Sequence, residues 1–168
     1  WLEMAKDDGR TRLAFDRPGT WGMKHNVLWD RVLGLNLFPP SFLDQEVAWY
    51  LHVQNAYGLP CDNRTTQSLL DWAVWSFAAA RDPADFSKLI EPLYRYAHET
   101  PDRVPLSDWF DTKTGRRGGV QARPVVGGIY ARMLLDEPLW KRWAGQAEQV
   151  SGDWAPLPLP PVLKTLVP

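Results

Sequence analysis

The sequence lacks most of the features that would identify a function class at sight. It has one cysteine, Cys61, in 168 residues, so no internal disulfide can form. Cys61 and the three histidines, His25, His52 and His98, show no metal-ligand spacing, and the histidines read as solvent or core residues. No apolar run approaches the roughly 20 residues a membrane span needs. No sign of charge dominates: 19 Lys+Arg face 20 Asp+Glu, without a basic block. That balance excludes the electrostatic footprint of a protein that grips a phosphate backbone, so neither nucleic acid nor membrane is expected as a partner. There is no phosphate-binding loop, dinucleotide fingerprint or Gly-x-Ser-x-Gly elbow, and no repeat of fixed period. No signal-peptide pattern opens the sequence, and it begins on Trp1 with an apolar pattern already under way, which reads as a fragment or a processed chain and says nothing about secretion.

What is present in excess is aromatic: ten Trp, five Tyr and six Phe, in a chain 45% hydrophobic. An indole combines a large apolar face with one N–H donor, so tryptophans suit helix packing and, in a minority, pocket walls. Apolar residues recur at three and four through the middle of the chain. The spacing predicts helices over 43–57, ended by Tyr57-Gly58-Leu59-Pro60; over 66–80; over 83–98, with Pro83 in the first turn; over 122–135; and a short one over 137–146. A short strand at Val125–Ile129 is the alternative for the fourth, and Gly127-Gly128 weakens both readings. Five prolines in 155–168 predict an extended arm, set apart from a body at 1–154; a PxxP ligand is its sharper reading. The expected fold class is all-α, antiparallel helical hairpins with no extended sheet.

The connections are uneven. A short one at 81–83 alternates with long polar ones, which carry three clusters. The first runs from Asp16 through Trp21, Lys24, His25 and Asn26 to Trp29-Asp30. The second is Asp62-Asn63-Arg64, followed by Asp71-Trp72. The third is Ser107-Asp108-Trp109 through Asp111 to Arg123. Each offers a carboxylate, a cation and an indole, a combination that can hold a polar molecule over an aromatic floor. Plainer readings stand beside these: Asp62-Asn63-Arg64 as a helix-start turn or a glycosylation acceptor, Ser107-Asp108 as a turn cap, and Asp111-Thr-Lys-Thr-Gly115 as a turn. Asp71 is different, because a carboxylate on an apolar stripe needs a cation or donors, which Arg64 or Arg123 would supply.

The segments DRPGTWGMKHNVLWDRVLGLNLFPP (16–40), YGLPCDNR (57–64), DWAVW (71–75), RVPLSDWFDTKTG (103–115) and QARPVVGGIYARMLL (121–135) resemble the carboxy-terminal part of the fungal glutaminase A-like family. That family is placed among the six-hairpin glycosidase-like proteins. The sequence departs from its pattern at Gly22-Met23, at His25, and at Pro124, where serine is usual, so no nucleophilic serine is expected there. The resemblance implies the last hairpins of an (α/α)6 toroid, with the helices at 66–80 and 122–135 inner and those at 43–57 and 83–98 outer. It also implies an amino-terminal β-rich region and further hairpins as partners within one longer polypeptide, and a secreted or periplasmic hydrolase that releases ammonia from L-glutamine without a cofactor or metal. The rival functions are a glycoside hydrolase-like toroid and a non-catalytic module that binds carbohydrate or peptide.

On the amidohydrolase reading, Trp21, Lys24, Asn26, Asp30, Asp62, Asn63, Arg64, Asp71, Trp72, Asp108, Trp109 and Arg123 are expected at one mouth. Asp108 or Asp71 is the candidate base, Lys24 and Asn26 the donors to an oxyanion, and Arg64 or Arg123 the clamp for a substrate carboxylate. The competing reading makes Asp62, Arg64, Asp71 and Arg123 a structural ion-pair network.

Overall fold

The computed structural model describes residues 1–147. The chain divides into two compact units, Trp1–Asp136 and a second beginning at Glu137. In the first, a short helix α1 (Leu2–Ala5) leads into a two-stranded ribbon, β1 (Lys6–Asp7) with β2 (Arg10–Thr11). A 3-10 turn at His25–Val27 runs into α2 (Leu28–Val32), and α3 spans Pro40–Val53. Strand β3 (Gln67–Leu69) passes directly into α4 (Leu70–Phe77), which is followed by α5 (Pro83–Glu99), β4 (Trp109–Asp111) and a 3-10 helix over Pro124–Leu135. The second unit contributes α6 (Glu137–Ala147), close to the expected 137–146, with a Glu137–Lys141 ion pair on its surface. The proline-rich stretch at 155–168 lies outside the described residues, and so does its expected extended form.

Helices dominate, and the core sits among α3, α4 and α5. Leu43, Val47 and Tyr50 of α3, Ala73, Val74 and Phe77 of α4, and Leu89, Leu93 and Tyr96 of α5 form one buried cluster. Phe110 of β4 joins it, stacked on Tyr96 with ring centroids 3.8 Å apart. Helix α5 follows its expected 83–98 almost residue for residue, because its start is doubly specified: Asp82 accepts a hydrogen bond from the Ala84 amide at 2.8 Å, and Pro83 occupies the first turn. Pro92 lies inside it, where the ring removes an N–H and frees the carbonyl four residues back. That carbonyl, on Lys88, accepts from the Gln54 side chain at 3.1 Å.

Three expectations need correction. Helix α3 begins at Pro40 and stops at Val53 rather than spanning 43–57, because Asn55 and Gly58 close a turn whose flanks bond to Thr112. Gly58 has φ +129, and a Cβ there would meet Leu93 Cδ2 at 2.6 Å. The 66–80 helix is only Leu70–Phe77, since residues 67–69 pair with β4 in the register Gln67↔Asp111, Ser68↔Phe110 and Leu69↔Trp109. The 122–135 helix is a 3-10 helix from Pro124; Arg123 before it is extended and Ala122 is left-handed at φ +56. That helix packs chiefly along α4, and its own apolar side chains Val125, Ile129, Tyr130 and Met133 stay exposed. Among the described residues, no helix is long and apolar enough to cross a membrane.

Candidate functional site

The β3–β4 ladder joins two clusters that lie some forty residues apart in sequence. Because Leu69 pairs with Trp109, the Leu70 amide at the start of α4 donates to the Asp108 carbonyl at 2.7 Å. Asp71 and Trp72 therefore stand beside Ser107, Asp108 and Trp109. The ring of Trp109 lies against a backbone that only glycine can supply: a Cβ on Gly118 or Gly119 would come within 2.7 Å of the indole. Arg123, extended just ahead of the 3-10 helix, reaches back with Nε donating to Asp108 Oδ1 at 3.1 Å and Nη2 to Oδ2. Asp108 is wholly buried while the Arg123 side chain is 40% exposed, so the pair is a fixed fork with one face open to solvent.

That face borders a cleft of about 410 Å³ lined by Cys61, Thr65, Gln67, Ser68, Leu69, Trp72, Trp109 and Arg123, within the size range of small-molecule sites. Asp71, one residue ahead of Trp72, does not itself line the cleft; it is buried and close enough to Asp108 and Arg123 to feel both charges. Burial raises its carboxyl above the ordinary aspartate value, and the Asp108 charge adds to the rise. The backbone amides of Trp72 and Asp71, together with Arg123, oppose it. Its Oδ1 and the Ser68 hydroxyl are both buried with no hydrogen-bond partner among the described residues. Gly128 of the 3-10 helix closes over Asp71: a Cβ there would meet Asp71 Cβ at 2.6 Å, and the Gly128 carbonyl accepts from the Trp75 indole at 3.1 Å.

Of the twelve residues expected at one mouth, Asp71, Trp72, Asp108, Trp109 and Arg123 come together here. Trp21, Asp62, Asn63 and Arg64 form an adjoining patch. Gly22 bridges Asp62, the Trp21 amide donates to Asn63 Oδ1 at 3.2 Å, and the Met23 amide donates to the carbonyl of Cys61, a cleft residue. Asp62 accepts from Arg64 Nε and Nη2 at 2.9 and 2.7 Å, and this donor holds its carboxyl below the usual range. The two arginines thus have separate carboxylates, Asp62 for Arg64 and Asp108 for Arg123, and no single four-membered network of Asp62, Arg64, Asp71 and Arg123 is built.

Three residues are placed elsewhere. Asp30 accepts from the Leu37 and Phe38 amides at 2.8 and 3.2 Å and closes its own loop. Lys24 turns its Nζ onto the Gly22 carbonyl at 2.7 Å, and burial lowers its pKa against the opposing charge of Glu46. Asn26 is exposed on the 3-10 turn. Neither Lys24 nor Asn26 is aimed at the cleft as an oxyanion donor.

Sequence reasoning missed Gln67 and Ser68, hidden inside an expected helix; His25, read as solvent or core, is half-buried and does not line the cleft. His25 stacks on Trp72, with centroids 4.1 Å apart and an interplanar angle of 9°. Burial depresses its pKa, Lys24 adds to the depression, and the Met23 backbone pulls the other way. Cys61 lines the cleft, but burial pushes its thiol up to about 11, which makes it a poor nucleophile. Among the described residues, no group of three or more His, Cys, Asp or Glu is placed to hold a metal ion.

The family described as the Glutaminase A six helical-hairpin domain matches residues 1–133. "Glutaminase A" of Aspergillus oryzae (strain ATCC 42149 / RIB 40) is 34% identical over 128 residues, covering 74% of this chain and 18% of that protein. A "Probable glutaminase" of Arthroderma benhamiae (strain ATCC MYA-4681 / CBS 112371) is 26% identical over 165 residues, covering 79% of this chain and 19% of that protein. The chain thus spans under a fifth of the length of these two curated relatives. No solved structure matches it. With most of its length matched by the family, the chain belongs to the glutaminase A six-helical-hairpin family.

Proposed function

We propose that this chain carries part of the active site of a hydrolase that converts L-glutamine to glutamate and ammonia, and that its helices are hairpins of an (α/α)6 toroid completed by the same polypeptide. The carrying observation is Arg123, held by the buried carboxylate of Asp108 and set on the wall of a cleft with Trp72 and Trp109. A guanidinium fixed along one edge presents its remaining N–H groups in a defined direction and suits the α-carboxylate of an amino acid. Arg123 takes the clamp role, and Arg64, on the adjoining patch, does not.

Asp71, buried beside the cleft with its Oδ1 unpartnered among the described residues, takes the proton-transfer role through a water that this oxygen would hold. A carboxyl held above the ordinary aspartate value is a stronger base than a free one and can return the proton it takes to the departing nitrogen, whereas Asp108 is committed to Arg123. In the reaction, water oxygen bonds to the side-chain carbonyl carbon as Asp71 takes its proton. The C–N bond then breaks, and the same proton leaves with ammonia. The two stacked surfaces, His25–Trp72 and Trp109–Gly118/Gly119, keep the floor rigid beneath the aliphatic part of the substrate.

A glycosidase reading draws support from the paired indoles, which suit sugar rings. It also needs two working carboxylates flanking a bond, and Asp108 is neutralised by Arg123. The deciding experiment assays the intact protein in parallel for ammonia from L-glutamine and for reducing ends from a glycan panel. Ammonia without reducing ends is expected. Reducing ends without ammonia overturn the amidohydrolase reading, and saturable sugar or peptide binding with neither product assigns a non-catalytic module.

A further inference from the structure

A second concavity, of about 490 Å³, sits at the opposite end of α4 from Asp71 and Trp72 and shares no lining residue with the cleft above. Its apolar wall is Phe38, Pro40 and Leu43, and its polar wall carries Asp30, Arg31 and Arg81. The charges on that polar wall are unevenly satisfied. Asp30 keeps its charge but turns its two oxygens onto the Leu37 and Phe38 amides, fixing the rim of the cleft and leaving both arginines without a bond to it. Arg81 is forked on Asp44, with side chains 60% and 43% exposed. Arg31 spends Nη1 on the Ala78 and Ala79 carbonyls at 3.3 and 2.9 Å and makes no ion pair among the described residues.

Arg132 bonds the Ala78 and Ala80 carbonyls from the same helix end. Three guanidiniums therefore crowd one place. Burial lowers the Arg31 pKa, the neighbouring Arg81 charge lowers it further, and Asp44 only offsets this. Arg31 thus stands on the polar wall beside Arg81 without a carboxylate partner of its own among the described residues, and the opposite wall can cover an apolar body.

We propose that this cleft binds a small amphipathic carboxylate, its carboxylate between Arg31 and Arg81 and its apolar body against Phe38, Pro40 and Leu43. The site is distinct from the glutamine site and does not depend on it. Binding is read on the intact protein by calorimetry and saturation-transfer NMR with 3-phenylpropionate as the probe, and 3-phenyl-1-propanol and inorganic phosphate as controls. 3-Phenylpropionate is expected to bind saturably, and the alcohol, which lacks the charge, and phosphate, which lacks the apolar body, at least about tenfold more weakly.

Two exposed substitutions move the affinity in opposite directions. Arg81→Gln weakens 3-phenylpropionate about tenfold, and Asp44→Asn, which releases the Arg81 fork, tightens it. Both leave glutamine turnover and the melting temperature at their starting values. Absence of saturable binding, equal binding of either control, or affinities that shift the same way in both variants overturns the assignment.

Discussion

Asp71 is a carboxyl whose ionisation is opposed by its surroundings. Its carboxyl is raised by burial and by Asp108, so the folded protein holds that proton more tightly than the unfolded chain does. The resulting stability is fully present below the ordinary aspartate pKa and is lost as pH rises through the raised value. Asp71→Asn, which mimics the protonated form, should therefore leave stability unchanged in acid and raise it at neutral pH; thermal melts of both proteins from pH 4 to 8 check this. Asp108→Asn should behave oppositely. It removes the buried charge and replaces one of the two oxygens that accept from Arg123 by a donor, and should cost about 1–3 kcal/mol in urea unfolding at neutral pH. At this scale the sequence was informative where chemistry conflicted with pattern. Asp71 stood out because a carboxylate on an apolar stripe demands an explanation. Which cation answers it was not legible, because Asp108 claims Arg123 through a strand pairing that local spacing does not encode. Asp30 was misplaced for the same reason: an aspartate that caps two backbone amides looks in sequence like one that meets a ligand.

At the scale of elements, glycine and proline separate what spacing predicts from what is built. The 3-10 helix over Pro124–Leu135 keeps the apolar residues that suggested an α-helix, but Gly128 lets it approach α4 with only a backbone between them. The two glycines differ, since a Cβ at Gly128 meets Asp71 and the Trp75 indole nitrogen at 2.6 and 2.9 Å while one at Gly127 meets nothing within 4 Å. Gly128→Ala should destabilise by about 1–3 kcal/mol through overpacking. Gly127→Ala should be neutral or stabilise by up to about 1 kcal/mol. Denaturant melts of the two variants make the comparison. Helix α5 supplies the complementary case. Its start was legible from Asp82-Pro83, but the Gln54 side chain that serves the Lys88 carbonyl freed by Pro92 was not. Gln54→Ala should cost about 1 kcal/mol in wild type and much less in a Pro92→Ala background, where the helix recovers that bond. Strands β3 and β4 escaped notice because three-residue strands carry no period long enough to read.

For the molecule as a whole, the helical class and the positions of α5 and α6 followed from composition and spacing, and the family followed from motifs long enough to be specific. The cleft did not follow, because it is made by a ladder joining residues 67–69 to 109–111 and by an arginine fourteen residues beyond Trp109. Among the described residues, one surface is apolar: Val125, Ile129, Tyr130 and Met133 are 36%, 39%, 63% and 39% exposed, a patch of the kind that folded proteins cover with a neighbour. These 168 residues expressed alone should therefore self-associate with rising concentration, and Ile129→Ser with Met133→Ser should suppress it in sedimentation velocity runs. What the assembled site does is tested most directly by measuring ammonia release from L-glutamine and the melting temperature together, at neutral pH, for the intact protein and its Asp71→Asn variant. Turnover should fall at least about a hundredfold, as loss of a general base requires, with the melting temperature unchanged or higher. Turnover that survives the substitution, or a melting temperature that falls in step with it, would contradict a catalytic Asp71 and leave the carboxyl a structural one.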